Sequence, residues 1–132
     1  MPGALIDTHV LLWMFDGSLP RRSAVAATRL AEAIAAGRVF ISIGSFLDLR
    51  YLVDAGRMSE QMLRRAEEVV ERAAFSVISL DLAVHHAMRD VARDDVPDPF
   101  DRIIAATALL ADLPLLTADD RIRAVLGERA VW

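Results

Sequence analysis

The chain has 132 residues, enough for one domain that buries roughly 68% of its unfolded surface and too few for two. It is 55% hydrophobic with 5 prolines, which excludes a disordered chain, and no apolar run approaches the roughly 18 residues of a membrane helix. It has no cysteine, which excludes disulfides, thiolate metal sites and cysteine nucleophiles, and its net charge of −4 excludes a generally basic nucleic-acid binder.

The first apolar run, "ALIDTHVLLWMF", predicts a short buried strand over residues 4–6 that gives way to a helix after Asp7. "RRSAVAATRLAEAIAAG" has alanine, leucine and isoleucine at helical spacing and predicts one helix over 21–37, stopped by Gly37. "RVFIS" (38–42) predicts a strand, and "GSFLDLRYLVDAG" (44–56) a helix ending at Gly56. "SEQMLRRAEEVVERAA" is amphipathic. Ser59 is its expected N-cap, and Met62, Leu63, Ala66, Val69, Val70 and Ala73 form one core-facing side. A strand over 75–80 and a helix over 81–92 follow. After the break at "DDVPDP" come a helix over 98–112, a short buried strand at "PLLT", a helix over 118–127 and a final strand or tail, "AVW".

There is no repeat, low-complexity tract or linker, so residues 1–132 read as a single domain. Short apolar strands alternating with helices predict an α/β fold of three layers, with a mostly parallel sheet of four to five strands between helices. In such folds ligands bind beyond the carboxyl ends of the strands. Asp7, after the first strand, and Asp119, just after "PLLT", both fall there.

Asp48, in "SIGSFLDL", and Asp98 and Asp101, opening "DPFDRIIAATAL", complete the set of candidate acids. Each has an alternative reading as local helix chemistry. Asp7 can cap the helix over 8–15, worth roughly 1 kcal/mol. Asp98, Pro99 and Asp101 have the residue types of N-cap, N1 and N3, and Thr117 or Asp119 can cap the last helix. Asp48 differs, because it lies about a turn inside its helix, where aspartate has poor propensity, on one face with Ser45. Jointly, the acids can converge on one cleft. Two carboxylates about 4 Å apart repel by roughly 4 kcal/mol at an effective dielectric near 20. A divalent cation removes that repulsion, and an all-oxygen set suits Mg²⁺ or Mn²⁺. Such a site can lower the pKa of a bound water and stabilise charge developing at phosphorus.

The series "LIDTHVLLW", "SIGSFLDL", "DPFDRIIAATAL" and "LLTADD" resembles the PIN-domain family over nearly the whole chain, in particular the VapC-type toxins of bacterial toxin–antitoxin pairs. The resemblance implies a PIN-like fold and a metal-dependent endoribonuclease acting on structured RNA such as tRNA or rRNA. It also implies inhibition by a cognate VapB-type antitoxin, and a homodimer. Asp7, Asp101 and Asp119 match the family's first, third and fourth acids, and are the expected metal ligands, for Mg²⁺ or alternatively Mn²⁺. Thr117 matches the threonine of the last motif and Asp98 a frequent extra acid. Asp48 stands where the family has glutamate in "S-x-x-S-x-x-E". One methylene shorter, it is expected in the catalytic set, reaching the ion directly or only through a water. By the same resemblance, the helices around residues 44–73 form part of the antitoxin groove.

Other candidates are weaker. Thr8 is a supporting residue beside Asp7, and His9 can tune Asp7 or touch substrate, against a role in its own helix. Arg102 can contact a phosphate bidentately or form an ion pair. Arg21, Arg22, Arg64, Arg65, Arg121 and Arg123 can supply local positive surface for an RNA backbone or stand as solvated helix faces. Adjacent His85 and His86 point to different sides and read as structural; Trp13, Phe15 and Phe46 read as core or dimer contact. The runner-up function is a catalytically weak module that binds RNA or a partner and represses by occupancy. Phosphoryl transfer with Asp7 as nucleophile is disfavoured, because all 15 basic residues are arginine and that chemistry generally uses a lysine. The same absence excludes P-loops, Schiff bases and kinases. No basic stretch precedes the first apolar run, so no secretory signal is expected and the predicted location is cytoplasmic, with no membrane partner.

Overall fold

The computed structural model describes residues 2–132. Its elements run β1 (Ala4–Ile6), α1 (Thr8–Phe15), α2 (Leu19–Arg22), α3 (Ala24–Ala35), β2 (Val39–Ser42), α4 (Ile43–Asp54), α5 (Glu60–Arg72), β3 (Ser76–Ile78), α6 (Leu82–Ala87), α7 (Pro99–Ala111), β4 (Leu115–Leu116), α8 (Asp120–Leu126) and β5 (Ala130–Val131). Single 3₁₀ turns follow α6 (Met88–Asp90) and α8 (Gly127–Arg129).

The five strands form one sheet in the order β3-β2-β1-β4-β5, and every pair is parallel. Leu5 of β1 lies opposite both Phe40 of β2 and Leu115 of β4. Successive strand residues face opposite sides of a sheet, and here each side has its own core. Ala4, Ile6, Val39, Ile41 and Leu116 pack with buried residues of α1 to α5. Leu5 and Leu115 pack with buried residues of α6, α7 and α8. The result is the three-layer α/β arrangement expected, with eight α-helices among the described residues. β1 is buried on both sides, so its three residues are all apolar, without polar alternation.

The order of the strands locates a crevice. From β1 the chain steps outward through β2 to β3, then crosses back to β4 on the other side of β1. The carboxyl ends of β1 and β4 therefore flank the point where the winding reverses, which is where α/β sheets open a ligand crevice.

α4 and α7 approach closely beside it. A Cβ on Gly44 would lie 3.0 Å from Ile103 Cγ2 and 3.1 Å from Ser42 Oγ. The Ser42 hydroxyl accepts from the Gly44 amide at 3.0 Å, and the Thr107 hydroxyl donates to the Ile103 carbonyl at 2.7 Å. Glycine allows the close crossing, and the two hydroxyls satisfy local backbone groups beneath it.

Several expectations are corrected. The helix expected over 21–37 is divided: Ser23 is extended (φ −155°) and its hydroxyl accepts from the Ala26 amide at 3.0 Å, starting α3 afresh. Capping by serine outweighs the helical periodicity that runs through it. α3 and α4 do end where expected, with Gly37 and Gly56 at positive φ. The side of α5 that reaches the core is narrower than the periodicity implied: Leu63, Ala66 and Val70 are buried, whereas Met62 is 41% exposed and Ala73 is exposed. The helix expected over 81–92 is α-helical only to Ala87. β3 is the edge strand and leaves Val77 exposed. Trp13, Phe15 and Phe46 are half-buried against the first core.

Candidate functional site

Asp7 is the N-cap of α1. Its Oδ1 accepts from the Val10 amide at 2.8 Å, and only 6% of the residue is exposed. Asp119 caps α8 in the same way, accepting from the Ile122 amide at 2.9 Å. Asp98 caps α7, accepting from the amides of Phe100 and Asp101 at 2.8 and 3.1 Å. Asp101 follows within the first turn of α7 and is half-buried. The caps and the cluster are thus one arrangement: a single oxygen serves the helix, and the carboxylate faces the crevice. Helix N-termini also carry partial positive charge, which offsets some of the repulsion among the acids.

These side chains, with Asp48 from α4, line one cleft of about 350 Å³ whose other walls are Thr8, His9, Leu12, Leu52 and Arg57. Five carboxylates therefore face one space. Burial raises the pKa of Asp101 to about 7, reinforced in order by the charges of Asp98, Asp119, Asp48 and Asp7. Burial also raises the pKa of Asp7, against the opposing effect of the Thr117 hydroxyl and the Val10 amide, and raises that of Asp48, helped by the charge of Asp98. Asp101 is the electrostatic centre, since all four other acids act on it.

Thr117 is fully buried behind the cleft, and its hydroxyl accepts from the Asp119 amide at 3.1 Å, fixing the turn that presents Asp119. The Thr8 hydroxyl is 97% shielded with its residue, lies near Asp48, and has no atom at hydrogen-bonding distance and angle. Ser45, one turn before Asp48, is likewise buried with an unpartnered hydroxyl. Arg102 lies elsewhere. Its Nε donates to the Val91 carbonyl at 2.9 Å and its Nη2 to the Met88 carbonyl at 3.0 Å, so it ties the 3₁₀ turn to α7 and does not line the acid cleft. Arg22 lies over the Trp13 ring at 4.3 Å. His85 and His86 are exposed, beside a different depression. The cleft residues missed in the sequence are Arg57, Leu12 and Leu52. Arg57 had no local signal, since it follows the Gly56 turn and reaches the cleft only through the placement of α4.

The donor set suits a divalent cation in kind. Asp7, Asp101 and Asp119 offer hard oxygen ligands, and the unpartnered Thr8 hydroxyl adds a polar atom in the same wall. As the side chains lie, no group of three or more His, Asp or Glu among the described residues is close enough together to hold an ion. Coordination therefore needs the carboxylates to rotate inward, against a mutual repulsion that a bound cation offsets.

The fold and cleft together define an α/β domain with an acidic, oxygen-donor site at the reversal point of a parallel sheet. A family model of the PIN domain matches residues 4–127, and the chain belongs to this family. Comparison with curated proteins finds no match. PIN domains are in general metal-dependent nucleases, so the membership supports a nuclease-type function and binding of nucleic acid. No helix among the described residues is long and apolar enough to cross a membrane.

Proposed function

We propose that this chain is an Mg²⁺-dependent endoribonuclease, with Mn²⁺ as an alternative ion, and the toxin of a VapBC-type pair. The observation that carries the reading is the convergence of five carboxylates, from four separate stretches of chain, on one cleft. A structural helix cap has no need of four other acids around it, whereas a cation site does.

In this reading Asp7, Asp101 and Asp119 hold the ion. When bound, the ion supplies Lewis acidity toward a phosphoryl oxygen and lowers the pKa of water. The chain's own residues do the rest. The Val10 and Ile122 amides hold one oxygen of Asp7 and of Asp119, which sets the direction of the other. Thr117 supports both acids from behind. Asp48 is half-buried, and its raised pKa strengthens it as a proton acceptor for the attacking water. Asp98 adds negative charge at the rim and holds the first turn of α7 in place.

The partner proposals rest on surface chemistry. Leu47 and Tyr51 of α4 and Met62 of α5 are exposed apolar residues, and Met62 lines a depression with Leu12, Phe15 and Met58. An amphipathic antitoxin segment of the VapB type, or the second protomer of a homodimer, would cover such surface. A tRNA or rRNA substrate and a cytoplasmic location complete the proposal.

The test is cleavage of RNA by purified protein with Mg²⁺. Asp7→Asn and Asp101→Asn should each reduce the rate by on the order of 100-fold or more while the protein stays folded. Cutting at the parental rate by either variant, with contaminating nuclease excluded, overturns the assignment. A second reading, repression by occupancy, draws on the shorter Asp48 and on carboxylates that do not yet gather around one point. RNA binding that survives chelation, with no cleavage products in Mg²⁺, would favour it.

A further inference from the structure

His9 and Trp13 are four apart on α1 and share a face of the helix. Their rings are in tilted contact, with centroids 5.5 Å apart and planes 38° from parallel. Trp13 is in turn packed against Trp132 at 5.4 Å and covered by the Arg22 guanidinium at 4.3 Å. Trp13 is half-buried, held between these neighbours, and backs the His9 ring. His9 ends the series, exposed and lining the acid cleft. It is close enough to both Asp7 and Asp48 for its charge to act on them. Arg57 also lines this cleft, exposed, with no salt bridge among the described residues although five carboxylates line the same cleft.

We propose that His9, braced by Trp13, and Arg57 form a subsite for one unpaired nucleotide of the substrate beside the scissile phosphate: the base stacks on the imidazole and a phosphate pairs with the guanidinium. This rests on the nuclease reading and assigns two side chains of the cleft to holding the substrate. A base within a duplex is already stacked on its neighbours and has no free face, whereas a splayed base can lie on an aromatic ring. An ordered ring pays little conformational entropy on binding, and the Trp13 stack orders this one. The forked guanidinium suits a phosphate, and an ion pair at the rim of an acidic cleft keeps the RNA backbone where carboxylates alone would repel it.

The chain has two tryptophans, and both belong to this stack, so intrinsic fluorescence reports on it directly. The experiment titrates full-length protein in Mg²⁺ with a short single-stranded 2′-O-methyl oligoribonucleotide and with its duplex, checking afterwards that the strand is intact. The single strand should change the tryptophan fluorescence and bind more tightly than the duplex. His9→Ala should weaken binding by about tenfold, and His9→Phe should restore it. The phenylalanine control matters because it keeps a flat ring while removing any effect of the imidazole on Asp7. Arg57→Ala should lower the slope of log affinity against log salt by about 0.7–1. Equal binding of duplex and single strand, unchanged affinity in His9→Ala, or failure of His9→Phe to restore it overturns the proposal. Cleavage separates the two readings. Mg²⁺-dependent cutting with binding indifferent to His9 and Arg57 ends the subsite and leaves the nuclease. The full binding profile without cutting ends the nuclease and leaves the subsite.

Discussion

Asp7 shows how one carboxylate serves both fold and site. Its Oδ1 closes the first turn of α1, and the same group stands in the cleft with a pKa raised by burial. The residue types allowed these acids to be read as caps or as ligands; Asp7, Asp98 and Asp119 are caps, and all three also line the cleft. Asp101 has the clearest pH signature. Its carboxyl keeps its proton to about pH 7 in the folded, metal-free protein, against an ordinary value of 3.8. Between those values the folded state binds more protons than the unfolded one, so this group's contribution to stability falls as pH rises from about 4 to 7. Asp101→Asn should therefore raise the melting temperature of metal-free protein by a few degrees at pH 8 and leave it nearly unchanged at pH 4; melting curves at the two pH values check this. Asp48→Glu should keep or increase RNA cleavage, because the longer side chain reaches further into the cleft. A large loss in a cleavage assay would instead show that the shorter acid belongs to the working geometry.

At the scale of elements, backbone chemistry settles what periodicity leaves loose. The run from Arg21 to Gly37 has helical spacing throughout, yet Ser23 adopts an extended conformation and caps a new helix. Arg102 reads on paper as a phosphate contact or an ion-pair partner, but the last turn after α6 leaves carbonyls that its guanidinium satisfies. The crossing of α4 and α7 places Asp48 opposite Asp101, and it depends on the missing side chain of Gly44. Gly44→Ala adds a methyl 3.0 Å from the buried Ile103 side chain and should cost about 1–3 kcal/mol of stability. It should also reduce cleavage more than the loss of folded protein explains, which denaturant unfolding and rate measurements on the same sample can separate.

For the whole molecule, the strand order assembles the acidic cleft. Five acids from four separate stretches, between residue 7 and residue 119, meet because β4 returns beside β1 after the chain has passed out to β3. Their mutual repulsion predicts that a bound divalent cation raises the stability of the domain. Mg²⁺ at about 100 times its dissociation constant should stabilise the fold by about 2.7 kcal/mol at pH 8. The gain should shrink at pH 5.5, where protons compete for Asp101, and chelation should reverse it; thermal unfolding with and without the ion measures each arm.

The strands at residues 4–6 and 39–42, the stops at Gly37 and Gly56, and the acids at strand ends were readable along the chain, because each depends on neighbours within a turn or a strand. So was the family, through four motifs in a fixed order. Arg57 in the cleft, Arg102 outside it, the exposed edge at Val77 and the stack of His9 on Trp13 and Trp132 were not. Each depends on which distant segment packs alongside, and that is set by how the two cores close over opposite sides of the sheet. Local sequence specified which carboxylates would turn a helix; only the closed sheet brought them near enough for their charges to act on one another.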